Sequence, residues 1–284
     1  MTRLEDLVVL VTGCSSGIGR ALAHELQRAG HSSFATARRK ESVEALAAEG
    51  LTALPLDVND AASIAGAVAQ VIDRAGRIDM LVNNAGVNFF GPLAEMPLDK
   101  VRALFETNLT SVVATSQAVF PQMVRQGSGR IVNVGSVVGV LPTPFAGPYC
   151  ASKAAVHMIS DVLRMEVAPF GLEVIVVQPG AVRSSIAEAG ARDLERFRSP
   201  DSHYRDAYDG IVKRAYASQQ DPTDAADFAR EVVAAITAVP APRLVRAGRG
   251  ADVLPQLATL PGEELDRTLG AQFGLTALKS RSPA

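Results

Sequence analysis

The stretch Leu7-Val8-Val9-Leu10-Val11-Thr12-Gly13-Cys14-Ser15-Ser16-Gly17-Ile18-Gly19 decides the fold. Its five consecutive apolar residues read as a short strand buried on both faces. The polar, glycine-bearing run that follows reads as a tight loop, and a helix opens near Ile18. Gly13, Gly17 and Gly19 let the backbone approach a ligand closely, and a helix N-terminus offers unpaired N–H groups and a positive dipole end. A TGxxxGxG spacing at a strand-to-helix junction therefore predicts a dinucleotide pyrophosphate site.

Outward from this junction, short β-branched runs at 7–11, 33–37, 52–56, 80–82, 130–134, 173–177 and 243–246 alternate with longer, alanine-rich helical stretches. Such alternation predicts right-handed βαβ units, hence an α/β fold with a doubly wound, Rossmann-type, seven-stranded parallel sheet. One domain over residues 1–284 accommodates all seven strands. Pro179-Gly180 stops the sixth. The polar segment 183–222 has weak periodicity and a breaker cluster at Ser199-Pro200-Asp201-Ser202, which predicts a mobile lid. Its apolar residues Ile186, Leu194 and Phe197 would fold inward while Arg192, Asp193, Glu195, Arg196 and Arg198 stay solvated. Residues 249–284 form a C-terminal extension with an amphipathic segment over 262–274.

The end of the second strand selects the cofactor, because a carboxylate there binds ribose hydroxyls and an arginine accommodates an added phosphate. The residues are Ala35-Thr36-Ala37-Arg38-Arg39. Without a carboxylate, and with the planar fork of Arg38, the sequence predicts NADP(H) over NAD(H).

With 284 residues, 48% of them hydrophobic and a net charge of -2, the chain can bury a large core and has no basic stripe for nucleic acid. Residues 7–11 are too short to span a bilayer and follow Glu5 and Asp6, so no membrane span and a cytoplasmic location are expected. Cys14 and Cys150 are too few for a disulfide framework and read as reduced, apolar fillers. His24, His31, His157 and His203 lack metal-ligand spacing, so no metal is expected.

Tyr149 and Lys153, in Tyr149-Cys150-Ala151-Ser152-Lys153, are four residues apart and share a helix face. An ammonium beside a phenol favours phenolate, which would draw the tyrosine pKa toward working pH and make it a general acid/base. The same helix places Ala151, Ala154, Ala155, Met158, Ile159, Val162 and Leu163 around more than one face. One sheet cannot cover them all, so a homodimer or homotetramer is expected.

Taken in order, these motifs resemble the short-chain dehydrogenase/reductase family from the first strand through Gly180. Thr12 to Gly19 is similar to its cofactor loop, Asp57-Val58 to its adenine contact, Asn83-Asn84-Ala85-Gly86 to its fourth-strand motif, and Tyr149 to Lys153 to its YxxxK signature. Asn108, Ser136 and Pro179-Gly180 complete the set. The loop, Ala35-Thr36-Ala37-Arg38, the YxxxK run and Phe273-Gly274-Leu275 look most like the 17β-hydroxysteroid and retinol dehydrogenase branch.

The resemblance implies a catalytic set of Asn108, Ser136, Tyr149 and Lys153. Tyr149 would be the general acid/base, Lys153 its pKa modifier and ribose ligand, Ser136 the partner of the substrate oxygen, and Asn108 the support for a relay water. It further implies cofactor contacts from Gly13, Ser15, Ser16, Gly17, Ile18, Gly19, Arg38, Asp57, Val58, Asn84, Ala85, Gly86, Tyr149, Lys153, Pro179, Gly180, Val182 and Ser184. Many relatives have threonine where Ser184 stands, and its hydroxyl can serve equally. Val87, Phe89, Phe90, Val138, Leu141, Pro144 and Phe145 would wall a pocket for a small lipophilic alcohol or ketone. Two other readings stay open. One is a β-ketoacyl carrier-protein reductase, against which the tail beyond about Gly248 argues. The other is a non-catalytic NADP(H) sensor, against which the intact Ser136, Tyr149 and Lys153 argue.

Overall fold

Val9 and Val11 pack on one face of the central sheet against Leu22, Leu26, Phe228 and Val232. Val8 and Leu10, one residue out of phase, pack on the other face against Val68, Val71, Val119 and Met123. Side chains alternate across a strand, so one apolar run serves two helix layers. The computed structural model describes residues 2–278. Residue 1 and residues 279–284, the last part of the expected C-terminal extension, lie outside the described residues.

The strands are β1 (Thr2–Arg3), β2 (Val8–Val11), β3 (Ser32–Ala37), β4 (Thr52–Pro55), β5 (Met80–Asn83), β6 (Gly129–Val134), β7 (Leu172–Pro179), β8 (Ala238–Val239) and β9 (Leu244–Ala247). The α-helices are α1 (Gly17–Arg28), α2 (Lys40–Ala48), α3 (Ala61–Ala75), α4 (Leu98–Phe105), α5 (Ser111–Gln126), α6 (Gly147–Val167), α7 (Ile186–Gly190), α8 (Tyr208–Tyr216), α9 (Ala225–Ile236), α10 (Leu254–Leu257) and α11 (Gly262–Gln272). The seven-stranded sheet runs β4-β3-β2-β5-β6-β7-β9, and its neighbouring strands are parallel. Its strands are the seven read from the sequence, within two residues at each end. Chain direction across the sheet reverses between β2 and β5, which opens a crevice at their carboxyl ends.

β1 and β8 form a separate antiparallel pair, with Thr2 opposite Val239. Two-residue strands have no periodicity, so this pair left no signal in the sequence. A buried polar network ties β5 and β6 to the helices behind them. Asn83 and Asn133 are in register. Asn83 Nδ2 donates to Asn133 Oδ1 at 2.9 Å, Thr115 Oγ1 donates to Asn83 Oδ1 at 2.7 Å, and Asn133 Nδ2 donates to Ser160 Oγ at 2.9 Å.

The 183–222 segment is a helical cap that shares an apolar core with the C-terminal extension, where the sequence read as a weakly periodic lid. α7, α8 and three 3₁₀ turns build it. Leu194 and Phe197 turn inward as anticipated, joining Ile211 and Ala215 of α8 and Leu265, Leu269 and Phe273 of the C-terminal extension. The elements are too short for a periodic pattern to emerge, because each contributes only one or two residues to the shared core.

Gly19 and Gly66 both lie in helices but differ in surroundings. A Cβ at Gly19 would run into Asn84 Nδ2 and the Gly13 carbonyl, whereas a Cβ at Gly66 would meet nothing within 4 Å. Gly19→Ala is therefore expected to lose about 1–3 kcal/mol by overpacking. Gly66→Ala is expected to gain about 0.5–1 kcal/mol from helix propensity. Urea midpoints of the two variants against the parent check both signs.

Candidate active site

At the crevice between β2 and β5 the backbone is pinned by reciprocal hydrogen bonds. Thr12 Oγ1 accepts from the Asn84 and Ala85 N–H groups, both at 3.0 Å, and Asn84 Nδ2 donates to the carbonyls of Thr12 at 2.9 Å and Gly13 at 3.1 Å. Gly13 has φ +72, and a Cβ there would approach the Ala85 Cα to 2.7 Å. Gly17 has φ +58. Both positions demand glycine, one for its left-handed backbone and its contact, the other for its backbone. Ser16 precedes α1 but makes no side-chain cap, its hydroxyl pairing with Ser185 Oγ at 2.7 Å. The first N–H groups of α1 are thus left for a ligand. A glycine-lined cradle with a helix N-terminus uncapped by a side chain fits the pyrophosphate of a nicotinamide dinucleotide.

One cavity of about 800 Å³ extends from this loop past Ser136, Tyr149 and Lys153 to the C-terminal extension. All the cofactor contacts implied by the resemblance line it, from Gly13 and Arg38 through Asp57 and Asn84 to Gly180, Val182 and Ser184. So do the expected walls Val87, Phe89, Phe90, Val138 and Leu141. Two expected wall residues do not. Phe145 is buried, with φ +61, in the core beneath the cap, its ring edge-on to Tyr204 at 6.2 Å, and Pro144 is likewise absent from the lining. The turn before α6 directs Thr143 to the cavity in their place.

Asn108 stands behind the wall. It sits in a π-helical turn, Glu106–Thr110, between α4 and α5. Its Oδ1 accepts from the Val87 N–H at 2.8 Å, and its Nδ2 donates to the Val87 carbonyl at 2.9 Å and to Ser152 Oγ at 3.2 Å. With the side chain so occupied, only its main chain could serve a relay. A π-turn breaks the regular i→i−4 pattern at this point.

Lys153 is buried and donates from Nζ to the Val134 carbonyl at 2.8 Å, with Nζ 5.7 Å from the centre of the Tyr149 ring. Burial lowers its pKa to about 8. Burial also raises the Tyr149 phenol to about 12, against the opposing pull of Arg214 and the Ser136 hydroxyl. This reverses the sequence expectation that the ammonium would draw the phenol toward working pH. Desolvation penalises phenolate more than Arg214 and the Ser136 hydroxyl favour it, and the Lys153 ammonium is turned to a carbonyl. The phenol is therefore a neutral acid in the cofactor-free protein. Behind Ser136, His157 Nε2 accepts from the Ser136 N–H at 3.3 Å, and burial holds the ring neutral with its pKa lowered to about 4. Cys14 and Cys150 are buried free thiols, and burial lifts the Cys14 pKa to about 12.

Sequence reading missed Arg214, Thr143 and the contribution of Leu254, Leu257, Leu269 and Phe273, all of which line the cavity. The signal for Arg214 was present: it interrupts the apolar stripe of Ile211 and Ala215 on α8. Among the described residues no helix is long and apolar enough to cross a membrane, and no group of three His, Cys, Asp or Glu side chains could hold a metal ion.

A profile of the short chain dehydrogenase family matches residues 7–195. The chain belongs to that family. It is 34% identical over 206 residues to 3-ketodihydrosphingosine reductase of Bacteroides thetaiotaomicron, covering 72% of this chain and 74% of the relative. It is 37% identical over 243 residues to estradiol 17-beta-dehydrogenase 1 of Rattus norvegicus, covering 79% and 70%. A short chain dehydrogenase/reductase from Burkholderia phymatum in complex with NAD shares the fold with TM-score 0.77 at 24% identity, over 100% of this chain and 99% of that one. The closed form of serine dehydrogenase complexed with NADP+ aligns with TM-score 0.72 at 27% identity, over 85% and 94%. The protein is thus an oxidoreductase that uses a nicotinamide cofactor.

Proposed function

We propose that the protein interconverts a carbonyl and an alcohol on a lipophilic substrate with NADP(H), Tyr149 acting as general acid/base. The observation that carries this reading is the single cavity that joins the glycine cradle to Ser136, Tyr149 and Lys153. The cofactor, when bound, supplies or accepts the hydride. Ser136 orients the substrate oxygen, and Tyr149 gives that oxygen a proton in reduction or removes one in oxidation. Lys153 stabilises the charge on the phenol side and would hold the ribose. Asn108 steadies the loop at Val87 and would support a relay water. The lipophilic preference is supported by Val87, Phe89, Phe90, Val138 and Leu141 and by Leu254 and Phe273 from the extension. Two relatives are named for 3-ketodihydrosphingosine and estradiol, both largely hydrocarbon.

Tyr149→Phe is expected to lower turnover of a generic ketone by about 10²–10⁴-fold, the range for losing a general acid, while cofactor binding persists. Lys153→Met is expected to impair both. Because the phenol is neutral up to about 12 in the free protein, kcat/KM for alcohol oxidation, which needs phenolate, should climb from pH 7 to 9. Reduction, which uses the phenol, should not. Parallel pH profiles in the two directions, or an active Tyr149→Phe, would remove Tyr149 from this role.

NADP(H) preference rests on Arg38, Arg39 and Ser42, which line the cavity at the end of β3, where Ala37 offers no carboxylate. Arg38→Ala should weaken NADP binding by about ten- to a hundredfold, as for loss of a charge-assisted contact, with little effect on NAD. Ala37→Asp should reverse the preference. Equal dissociation constants for both cofactors in the parent protein would exclude the assignment.

The outer face of α6 supports a homodimer or homotetramer. Met158 and Met165 are 66% and 61% exposed, beside Val162 and Phe170, and Leu98 and Val113 expose further apolar surface on α4 and α5. Such a face needs a partner. Sedimentation at micromolar concentration should give a multiple of 29.8 kDa; a monomer alone would leave the face unexplained.

A further inference from the structure

α8 places a cation in the apolar wall of the cavity. Ile211 and Ala215 on its inner face are fully buried, and Arg214 between them is only 7% exposed. Arginines this deep are ordinarily paired with a carboxylate. Arg214 forms no ion pair among the described residues. Its Nε and Nη2 both donate to Thr143 Oγ1, at 3.0 and 2.9 Å, and the Cys150 thiol is its other polar neighbour. Thr143 can give nothing more: two N–H groups use the lone pairs of its hydroxyl, and its proton has Cys150 Sγ at 3.4 Å. The guanidinium otherwise rests on the Phe90 ring, 5.4 Å from its centre. It lines the same cavity as Ser136 and Tyr149, among the apolar walls and away from the glycine cradle, and its charge reaches the Tyr149 phenol.

A buried cation held only by a neutral hydroxyl and a thiol is costly unless something negative arrives. We propose that Arg214 seats a carboxylate of the substrate, so that the molecule turned over is an apolar oxo or hydroxy acid with the anion at a second position from the carbon that reacts. This rests on the reading of the cavity as a carbonyl–alcohol site and narrows its substrate class. One planar fork matches one planar, singly charged carboxylate. A phosphate, with close to two charges, would leave part of its charge unmatched in this wall. Phe90, Leu141, Leu254 and Phe273 would then enclose the hydrocarbon body.

The test is a pair of substrates with one skeleton, a medium-chain oxoalkanoic acid and its methyl ester, assayed with NADPH. The wild type should favour the acid in kcat/KM by about ten- to a hundredfold, the value of a charge-assisted contact. In Arg214→Met that acid-to-ester ratio should collapse by the same factor, and Arg214→Lys, which keeps the charge without the fork, should fall between. Thermal melts confirm that the variants are folded. If Arg214→Met does not fold, the wild-type ratio and Arg214→Lys still decide. An ester preferred by the wild type, or a ratio unchanged in the variants, overturns the proposal and makes Arg214 a structural or electrostatic neighbour of Tyr149. Calorimetry of dodecanoate against dodecanamide on the NADP-loaded protein reads the seat without turnover. Dodecanoate binding that depends on Arg214, with no ketone reduced, would uphold the seat while the reaction assignment fails. Reduction of neutral ketones without preferential dodecanoate binding would sink the seat alone.

Discussion

The contact of Gly13 with Ala85, locked by the Thr12–Asn84 hydrogen bonds, is the constraint on which the site depends. β2 and β5 are neighbours in the sheet, but the chain leaves them in opposite directions, so their carboxyl ends part into a crevice. Without a side chain at position 13, the loop after β2 can rest on the loop after β5. The hydroxyl of Thr12 and the amide of Asn84 then satisfy four backbone groups that the open ends of the strands would otherwise leave unpaired. Asn84 therefore serves the cofactor site by holding its floor in place.

The chemistry follows from a similar closeness on the other side of the crevice. The Ser136 loop, the π-turn and α6 converge behind Tyr149. His157 fills the space left by Gly135 and Gly139, where any Cβ would collide with its ring. The side chain of Asn108 bridges Val87 and Ser152. These groups are spent on positioning, whereas Ser136, Tyr149 and Arg214 are among the polar side chains that line the cavity. Tight burial also explains why the phenol is more acidic in the sequence argument than in the folded chain: closeness to a cation and removal from water act in opposite directions, and burial wins.

The cap and the extension complete the enclosure. Gly210 of α8 lies against the Phe273 carbonyl so closely that a Cβ would overlap it. The cap helix and the end of α11 are thus packed backbone to backbone, and their side chains share one apolar cluster with Phe90, Leu141 and Phe145. The segments that vary most in character from the sheet are therefore built into the wall that a substrate would touch.

The seven strands, the glycine loop and the Tyr149–Lys153 pair were legible in the sequence, because alternation, glycine placement and i,i+4 spacing are properties of a few adjacent residues. The cofactor residues implied by the family likeness also came together around one cavity, since most follow the carboxyl end of a strand whose position the topology dictates, and Tyr149 and Lys153 lie on α6 beside them. The β1–β8 pair, the helical build of the cap, the exchange of Phe145 for Thr143 at the wall, and the burial of Arg214 were not legible. They arise from contacts between segments far apart in the chain, such as α8 with Thr143 or Phe145 with Tyr204. Spacing along the chain determines which face of a helix a residue occupies; only packing determines what lies opposite that face and how much water remains there, and with it the protonation of Tyr149 and the unpaired charge of Arg214.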